Sequence, residues 1–101
     1  MIRIVLVCAA GMSTSILVNN MKKSADPKDE INACPLSELE NVIDDVDIVL
    51  VGPQVRFQMA SIDALAKAHG KKAALMDQKA YGMLDGAKML KQAWELHQQK
   101  N

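Results

Sequence analysis

The chain has few aromatic residues and no excess of either charge. It contains one Trp, one Tyr and one Phe, and 12 basic residues balance 12 acidic ones. Scarce aromatics argue against stacking on nucleic-acid bases, and formal neutrality argues against binding to polyanions or acidic membranes. We therefore predict no nucleic-acid partner.

The sequence also lacks a long apolar run and a leader signature. No stretch approaches the roughly 20 apolar residues that span a bilayer, and the N-terminus has no basic region followed by an apolar core and a cleavage site. These features predict a cytoplasmic protein that does not insert into a membrane.

Cysteine is scarce, with only Cys8 and Cys34. The chain has no CxxC motif and no Cys/His cluster, so we predict no metal and no cofactor. In a reducing compartment two free thiols are expected rather than a disulfide. Cys34 precedes Pro35 at a strand end with no hydroxyl-rich loop behind it, and we interpret it as structural.

What the chain does have is enough apolar residues for one core. Its 101 residues are 50 % hydrophobic, which predicts a single domain over residues 1–101. Continuous or alternating apolar runs predict strands at residues 2–7, 30–34, 48–51 and 72–76.

Helical spacing and end signals place a helix after each predicted strand. The first helix is expected to end near Ser24, and Ser37 with Glu40 matches a capping box that opens the second. Gly70 is predicted to stop the third helix, and Asp85 to cap the last one. In the last helix Ala87, Leu90 and Trp94 are expected to share a buried face with Met83.

This alternation of strands and helices predicts an α/β fold. The expected architecture is a small four-stranded parallel open sheet, in the order 2-1-3-4, with helices on both faces. In that order the connections reverse direction between strands 1 and 3, and ligands of open α/β sheets bind at such a switch point. Cys8 and the loop at residues 52–57 are expected to meet there.

The segment from Cys8 to Ser15 is the strongest chemical signal. A cysteine that follows a buried strand and faces a helix N-terminus is expected to have a lowered pKa and to act as a nucleophile. Ser13, Thr14 and Ser15 are expected in the first helical turn as additional donors to an anion such as phosphate. The alternative is that Cys8 is an inert buried residue in a tight connection.

Three motifs together resemble one family. They are residues 8–15 after the first strand, residues 51–57, and the run from Tyr81 to Gly86. The sequence resembles, from end to end, the enzyme IIB component of the lactose/cellobiose (chitobiose) family of the bacterial sugar phosphotransferase system.

The resemblance implies a phosphocarrier. Cys8 would accept a phosphoryl group from a histidine of enzyme IIA and pass it to a sugar bound by the membrane permease, enzyme IIC. A phosphate loop would surround it, formed by Ala9, Ala10, Gly11, Met12, Ser13, Thr14 and Ser15. The sugar is expected to be β-linked, such as cellobiose, chitobiose or lactose, and a carrier that alternates between partners is expected to be a monomer.

The loop and fold are also similar to those of low-molecular-weight tyrosine phosphatases, with one difference. In the phosphatase motif Cys-x5-Arg-Ser the arginine position falls on Thr14 here. Losing that guanidinium should weaken stabilisation of the hydrolytic transition state. Arg56 is either a substitute from the neighbouring loop or a partner-binding residue, and Gln54 and Tyr81 are expected as further site neighbours.

Two other functions remain open from the sequence. A hydrolase would use Cys8 as a phosphatase or arsenate-reductase nucleophile, whereas a non-catalytic interaction module would never be phosphorylated. For the carrier, Met12 and Phe57 are expected to line the surface that docks partners, because exposed apolar residues beside a donor site suit transient binding.

Overall fold

A computed structural model describes residues 1–9 and 12–99, with the backbone alone for residues 12 and 13. Its strands are β1 (Arg3–Val7), β2 (Glu30–Cys34), β3 (Ile48–Val51) and β4 (Lys72–Leu75). They form one parallel sheet in the order β2-β1-β3-β4. The predicted fold class and strand order are confirmed.

Five α-helices lie among the described residues, and three short 3-10 segments accompany them. The helices are α1 (Met12–Ser24), α2 (Leu39–Val42), α3 (Met59–Ala68), α4 (Gln78–Gly82) and α5 (Gly86–Gln98). The 3-10 segments are Leu36–Glu38, Ile43–Asp45 and Pro53–Gln58. Within the described ranges no helix has both the length and the apolarity to cross a membrane.

Alternation along β1 divides the hydrophobic core into two layers. Ile4, Leu6 and Cys8 face the layer that includes α1 and α5, whereas Val5 and Val7 face the layer that includes α2 and α3. Successive side chains of a strand point to opposite faces, so β1, with a neighbouring strand on each side, anchors both layers. Cys8 consequently lies on the α1 side of the sheet.

Several predicted helix ends are confirmed. Helix α1 ends at Ser24 with Lys22 and Lys23 in its last turn. The Asp85 carboxylate accepts a hydrogen bond from the Lys88 N–H at 3.0 Å and caps α5. Gly70 follows α3 with a φ of 71°, a backbone conformation that glycine adopts without a steric cost.

The predicted capping box is wrong. Ser37 lies inside the 3-10 segment Leu36–Glu38, and no side chain caps that segment or α2. Pro35 has an extended backbone at the position before the segment, so the helical turn begins two residues earlier than Ser37 as N-cap would require. Burial of Leu39 and Ile43 holds this short helical region to the sheet.

The predicted buried face of the last helix is partly wrong. Ala87 is exposed and Met83 is 67 % exposed, while the buried residues of α5 are Gly86, Met89, Leu90 and Ala93. Trp94 is half-buried. The helix is rotated from the predicted orientation because Gly86 allows its first turn to lie directly against α1.

That contact is unusually close. A Cβ atom added to Gly86 would lie 2.2 Å from the Asn20 carbonyl carbon and 2.4 Å from the Met21 nitrogen. The Asn20 side-chain amide also donates to the Leu84 carbonyl at 2.9 Å. The turn before α5 is therefore bound to the middle of α1 by backbone contact and by a hydrogen bond.

Candidate functional site

The carboxyl ends of β1 and β3 form the candidate site. Val7 and Val51 are paired at the ends of these neighbouring strands, and the Gly52 N–H donates to the Val7 carbonyl at 2.8 Å. Cys8 follows Val7, and its N–H donates to the Cys34 carbonyl at 3.3 Å. Cys8 thus lies at the point where the chain connections reverse direction, as predicted.

Gly52 brings the loop after β3 against the thiol. A Cβ atom added there would lie 2.9 Å from the Cys8 sulfur, 3.0 Å from Gln54 Oε1 and 3.2 Å from the Val7 carbonyl oxygen. These separations are too short for a methyl group without movement of the sulfur. The predicted meeting of Cys8 and the loop at 52–57 is confirmed, and glycine makes it feasible.

Gly52→Ala is therefore expected to displace the Cys8 sulfur. We expect reaction of the thiol to slow about 100-fold, since displacement of a reacting atom by about 1 Å has effects of that size. Stability should fall by about 1–3 kcal/mol through overpacking. Alkylation of Cys8 by iodoacetamide and urea unfolding measure the two effects.

Gly70→Ala is the matched control for this prediction. It adds a methyl group at a positive φ, where nothing lies within 4 Å, so it should destabilise the protein while leaving thiol reactivity unchanged. Equal thiol reactivity in Gly52→Ala and the wild type would contradict the placement of Gly52 against the reacting sulfur.

The surroundings of Cys8 overturn the predicted pKa. Burial raises the pKa of the Cys8 thiol, the residue being 4 % exposed, and a nearby Thr14 hydroxyl only partly opposes this effect. The predicted lowering is therefore wrong, because removal of the sulfur from water disfavours the thiolate. This direction favours the protonated thiol in the resting protein.

Thr14 contributes a buried hydroxyl beside that thiol. Thr14 is 5 % exposed, and its Oγ1 has no hydrogen-bond partner within the described part of the chain. The hydroxyl is close enough to Cys8 to lower the pKa of the thiol, although the contact does not meet hydrogen-bond geometry. An unpaired buried hydroxyl costs stability and is available to a bound anion.

Thr14→Val is expected to separate stability from reactivity. Removing the unpaired hydroxyl should raise the free energy of unfolding by about 1 kcal/mol. It should also raise the pKa of Cys8 further, which slows alkylation by iodoacetamide at any fixed pH below that pKa. Thr14→Ser retains the hydroxyl and should keep the wild-type alkylation profile; a lower Cys8 pKa in Thr14→Val would refute the role of the hydroxyl.

A hydrogen bond joins two of the predicted site neighbours. The Gln54 side-chain amide donates to the Tyr81 hydroxyl. Gln54 lies in the segment Pro53–Gln58 after β3, and Tyr81 lies in α4 after β4. The fold therefore places both predicted neighbours on the same edge of the sheet as Cys8.

Sequence reasoning missed helix α4, which positions Tyr81. The sequence pattern predicts a loop over residues 77–82, but the Asp77 carboxylate accepts a hydrogen bond from the Ala80 N–H at 3.0 Å and caps a five-residue helix. This hydrogen bond also lowers the pKa of Asp77. The N-cap preference of aspartate was the available signal.

The remaining predicted site residues are placed as follows. Ala9 is exposed in a bend after β1, and Ala10 and Gly11 lie outside the described residues. The backbones of Met12 and Ser13 begin α1, and Ser15 is exposed in its first turn. Arg56 is exposed, and within residues 1–9 and 12–99 its guanidinium makes no hydrogen bond or ion pair.

Cys34 lies at the same end of the sheet as Cys8 but on the other face. It pairs with Val7 and packs with the α2 and α3 layer, whereas Cys8 packs on the α1 side. Both cysteines are free. No group of three His, Cys, Asp or Glu residues that could hold a metal occurs in the part of the chain that the structure describes.

Fold and site together define a class: a small open α/β domain with a cysteine at the switch point of its parallel sheet. Residues 3–92 match the family described as "PTS system, Lactose/Cellobiose specific IIB subunit". The chain belongs to this family, and the resemblance drawn from its three motifs is confirmed.

Characterised relatives agree with this assignment. The chain is 36 % identical to the oligo-beta-mannoside-specific EIIB component of Bacillus subtilis (strain 168), over 93 % of this chain and 94 % of the relative. It is 38 % identical to the cellobiose-specific EIIB component of Lactococcus lactis subsp. lactis (strain IL1403), over 92 % and 94 % respectively.

Solved structures share the fold. A cellobiose-specific IIB component from Borrelia burgdorferi superposes with a TM-score of 0.77 at 35 % identity, over 95 % of this chain and 91 % of that one. A lactose-specific IIB domain from Streptococcus pneumoniae has a TM-score of 0.84 at 19 % identity, over 96 % and 98 %, and supports the fold alone. EIIB components are phosphotransferases of sugar transport that work with IIA and IIC partners.

Proposed function

We propose that this protein is a phosphocarrier in which Cys8 receives a phosphoryl group from a phosphohistidine of enzyme IIA and transfers it to a sugar held by enzyme IIC. The observation that carries the proposal is the position of Cys8 at the switch point, before the N-terminus of α1 and beside the unpaired hydroxyl of Thr14. A single nucleophile and unsatisfied donors suit a transferable anion.

The first transfer is an in-line displacement on phosphorus. The bond between phosphorus and the histidine nitrogen breaks, a bond between phosphorus and the Cys8 sulfur forms, and the thiol proton replaces the phosphoryl group on the histidine nitrogen. Since burial raises the pKa of Cys8, the proton leaves the sulfur as the bond from sulfur to phosphorus forms. A resting thiol is less exposed to adventitious oxidation than a thiolate.

The second transfer reverses these roles. The sulfur–phosphorus bond breaks, the sugar hydroxyl oxygen bonds to phosphorus, and the hydroxyl proton restores the Cys8 thiol. Loop N–H groups and the first turn of α1 stabilise the charge on the transferred group. We assign this supporting role to the predicted phosphate loop: Ala9, Ala10, Gly11, Met12, Ser13, Thr14 and Ser15.

The absence of an arginine at position 14 favours a carrier over a hydrolase. Without a bidentate guanidinium, the loop stabilises attack by water less strongly, so the phosphocysteine persists until a partner arrives. Arg56 is exposed and makes no ion pair with the described residues. We therefore assign Arg56 to partner binding.

The sugar is proposed to be β-linked. The named relatives are specific for oligo-beta-mannosides and for cellobiose, and both names refer to β-linked sugars. Because the permease holds the sugar, this chain does not enclose the substrate. It contributes to sugar specificity only through docking to its partners and through the reactivity of Cys8.

Docking is assigned to the apolar surface near Cys8. Phe57 is 76 % exposed in the segment that follows Gly52, and exposed aromatics are common anchors of transient interfaces. We also include Met12, which begins α1. The protein is proposed to act as a cytoplasmic monomer with one IIB domain over residues 1–101.

Phe57→Ala is expected to weaken transfer from enzyme IIA. Loss of an exposed aromatic anchor should raise the apparent KM for phosphorylated enzyme IIA about 10-fold and leave kcat nearly unchanged. The exposed α5 residue Gln98 provides the control Gln98→Ala, which should match the wild type. An unchanged KM in Phe57→Ala would remove Phe57 from the docking surface.

The proposed function is tested by intact mass. The protein is incubated with phosphoenolpyruvate, the general phosphotransferase proteins and a matching enzyme IIA, and any added phosphate is mapped to a peptide. A single phosphate on Cys8 that disappears when enzyme IIC and sugar are added is the expected result. No adduct with several competent enzyme IIA proteins, together with phosphate release from an aryl phosphate, would establish a hydrolase instead.

A further inference from the structure

We propose that the Tyr81 hydroxyl, oriented by Gln54, donates a hydrogen bond to the phosphoryl group carried by Cys8. The inference rests on the proposed function and adds a side-chain donor from outside the phosphate loop. It assigns the Gln54–Tyr81 pair a role in stabilising a dianionic ligand at this edge of the sheet.

Gly52 shows how close this pair lies to the thiol. The Cys8 sulfur and Gln54 Oε1 are both within 3.0 Å of a single point, the position of a Cβ atom on Gly52. The other end of the same amide group donates to Tyr81. A phosphoryl group on the sulfur that is directed toward Gln54 would approach this amide and its hydrogen-bond partner Tyr81.

Among the described residues, the hydrogen bonding of Tyr81 leaves its own hydrogen without an acceptor. A tyrosine hydroxyl can accept one hydrogen bond and donate its own hydrogen in another. The accepting role is occupied by the Gln54 amide, and among the described residues the Tyr81 hydroxyl has no acceptor for its hydrogen. The hydroxyl is thus held in place with its proton available to an incoming oxygen.

Tyr81 is also anchored at its backbone and ring. Its N–H donates to the Asp77 carbonyl at 2.9 Å inside the capped helix α4, and its half-buried ring packs against the core layer on the α1 side. A fixed donor costs little conformational entropy when the ligand arrives.

The chemistry of the ligand completes the argument. A phosphoryl group carries close to two negative charges at neutral pH and offers three acceptor oxygens. The residue at the arginine position of the phosphatases is Thr14, so no guanidinium comes from within the loop. A neutral donor such as Tyr81 stabilises the bound group but leaves it easier to transfer than an arginine would.

The test is a titration of the phosphorylated protein followed by phosphorus NMR. A donor that binds the dianion lowers the pKa of the phosphoryl group, so Tyr81→Phe is expected to raise that pKa relative to the wild type. In the same variant, the rate of phosphoryl transfer from enzyme IIA to Cys8 should fall about 10- to 100-fold, because one hydrogen bond to a charged group has an effect of that size. Phenylalanine keeps the ring and therefore its packing.

Gln54→Leu tests the positioning role through an exposed residue that should not affect folding. It is expected to shift the phosphoryl titration in the same direction, and the double variant should be no slower than Tyr81→Phe alone, because both changes remove the same contact. Gln98→Leu is the control. Gln98 is the last residue of α5, and its neighbour His97 accepts a hydrogen bond at its carbonyl from the Lys72 side chain. Lys72 is the first residue of β4, so Gln98 lies at the opposite end of the sheet from Cys8.

The outcomes separate the two proposals. If the wild type carries phosphate on Cys8 but the titration and transfer rate of Tyr81→Phe are unchanged, the inference is overturned and the proposed function stands. If the transfer rate from enzyme IIA falls while the phosphoryl titration is unchanged, Tyr81 contacts a protein partner instead. If the wild type accepts no phosphate, the proposed function itself fails.

Discussion

Cys8→Ala is expected to abolish phosphoryl uptake from enzyme IIA, and Cys8→Ser to reduce delivery to sugar by at least about 10⁴-fold. The alanine variant has no nucleophile at the switch point. The serine variant retains a hydroxyl, but serine is a far weaker nucleophile, and its phosphate ester gives up the phosphoryl group much less readily than a phosphocysteine does.

The structure predicts that this loss is chemical and not due to unfolding. Cys8 is buried beside Gly52, where serine and alanine are smaller than cysteine and introduce no clash. Circular dichroism and urea unfolding of both variants should show the wild-type fold with a loss of no more than about 2 kcal/mol. Intact mass and sugar phosphorylation measure the chemistry.

Cys34→Ser is the matched control for these variants. Cys34 lies at the same end of the neighbouring strand but on the opposite face of the sheet, so its loss should leave phosphoryl transfer unchanged. A Cys8→Ser protein that still transfers acid-labile phosphate at the wild-type rate, or a phosphate mapped to Cys34, would overturn the assignment of Cys8.

Gly86→Ala is expected to cause the largest loss of stability, about 3 kcal/mol or more. The added methyl group would lie 2.2 to 2.5 Å from backbone atoms of Asn20 and Met21. Backbone cannot rotate away as a flexible side chain can, so α1 and α5 must separate. Separation would also strain the hydrogen bond from the Asn20 amide to the Leu84 carbonyl.

Gly82→Ala provides the control for Gly86. No atom lies within 4 Å of a Cβ atom added at Gly82, and its φ is not positive, so we expect stability within about 1 kcal/mol of the wild type. Urea unfolding measures both variants. A Gly86→Ala protein as stable as Gly82→Ala would show that the two helices do not pack as closely as described.

The nucleophile and its position could be identified from the sequence because they depend on local and topological rules. An apolar β-branched run, a cysteine and a hydroxyl-rich turn lie next to one another from residue 2 to residue 15. The order β2-β1-β3-β4 then follows from short right-handed connections. The switch point beside Cys8 is a consequence of that order.

The electrostatics of the same residue could not be predicted. The sequence shows that Cys8 precedes a helix, which favours a thiolate, but not that the residue is 4 % exposed, which disfavours it. Burial is a property of all the segments that pack around the sulfur, including Gly52 from a different strand. The direction of the pKa shift was therefore decided by tertiary packing.

Helix α4 and the buried face of α5 are two further features that the sequence did not predict. Asp77 was a local signal for a helix start, but a five-residue helix has too little intrinsic stability to be recognised from periodicity. The orientation of α5 depends on the contact of Gly86 with α1, a partner far away in the chain. Neither the presence of α4 nor the orientation of α5 can be deduced from the apolar periodicity of its own residues.

The sequence by itself determined the strand order, the nucleophile and the family, since short-range patterns and a few motifs are sufficient for these. Only the tertiary structure decided that burial raises the pKa of the Cys8 thiol, that the Thr14 hydroxyl beside it has no hydrogen-bond partner among the described residues, and that Gln54 holds Tyr81 at the same edge. These properties depend on distances between residues of different segments, and folding alone sets those distances.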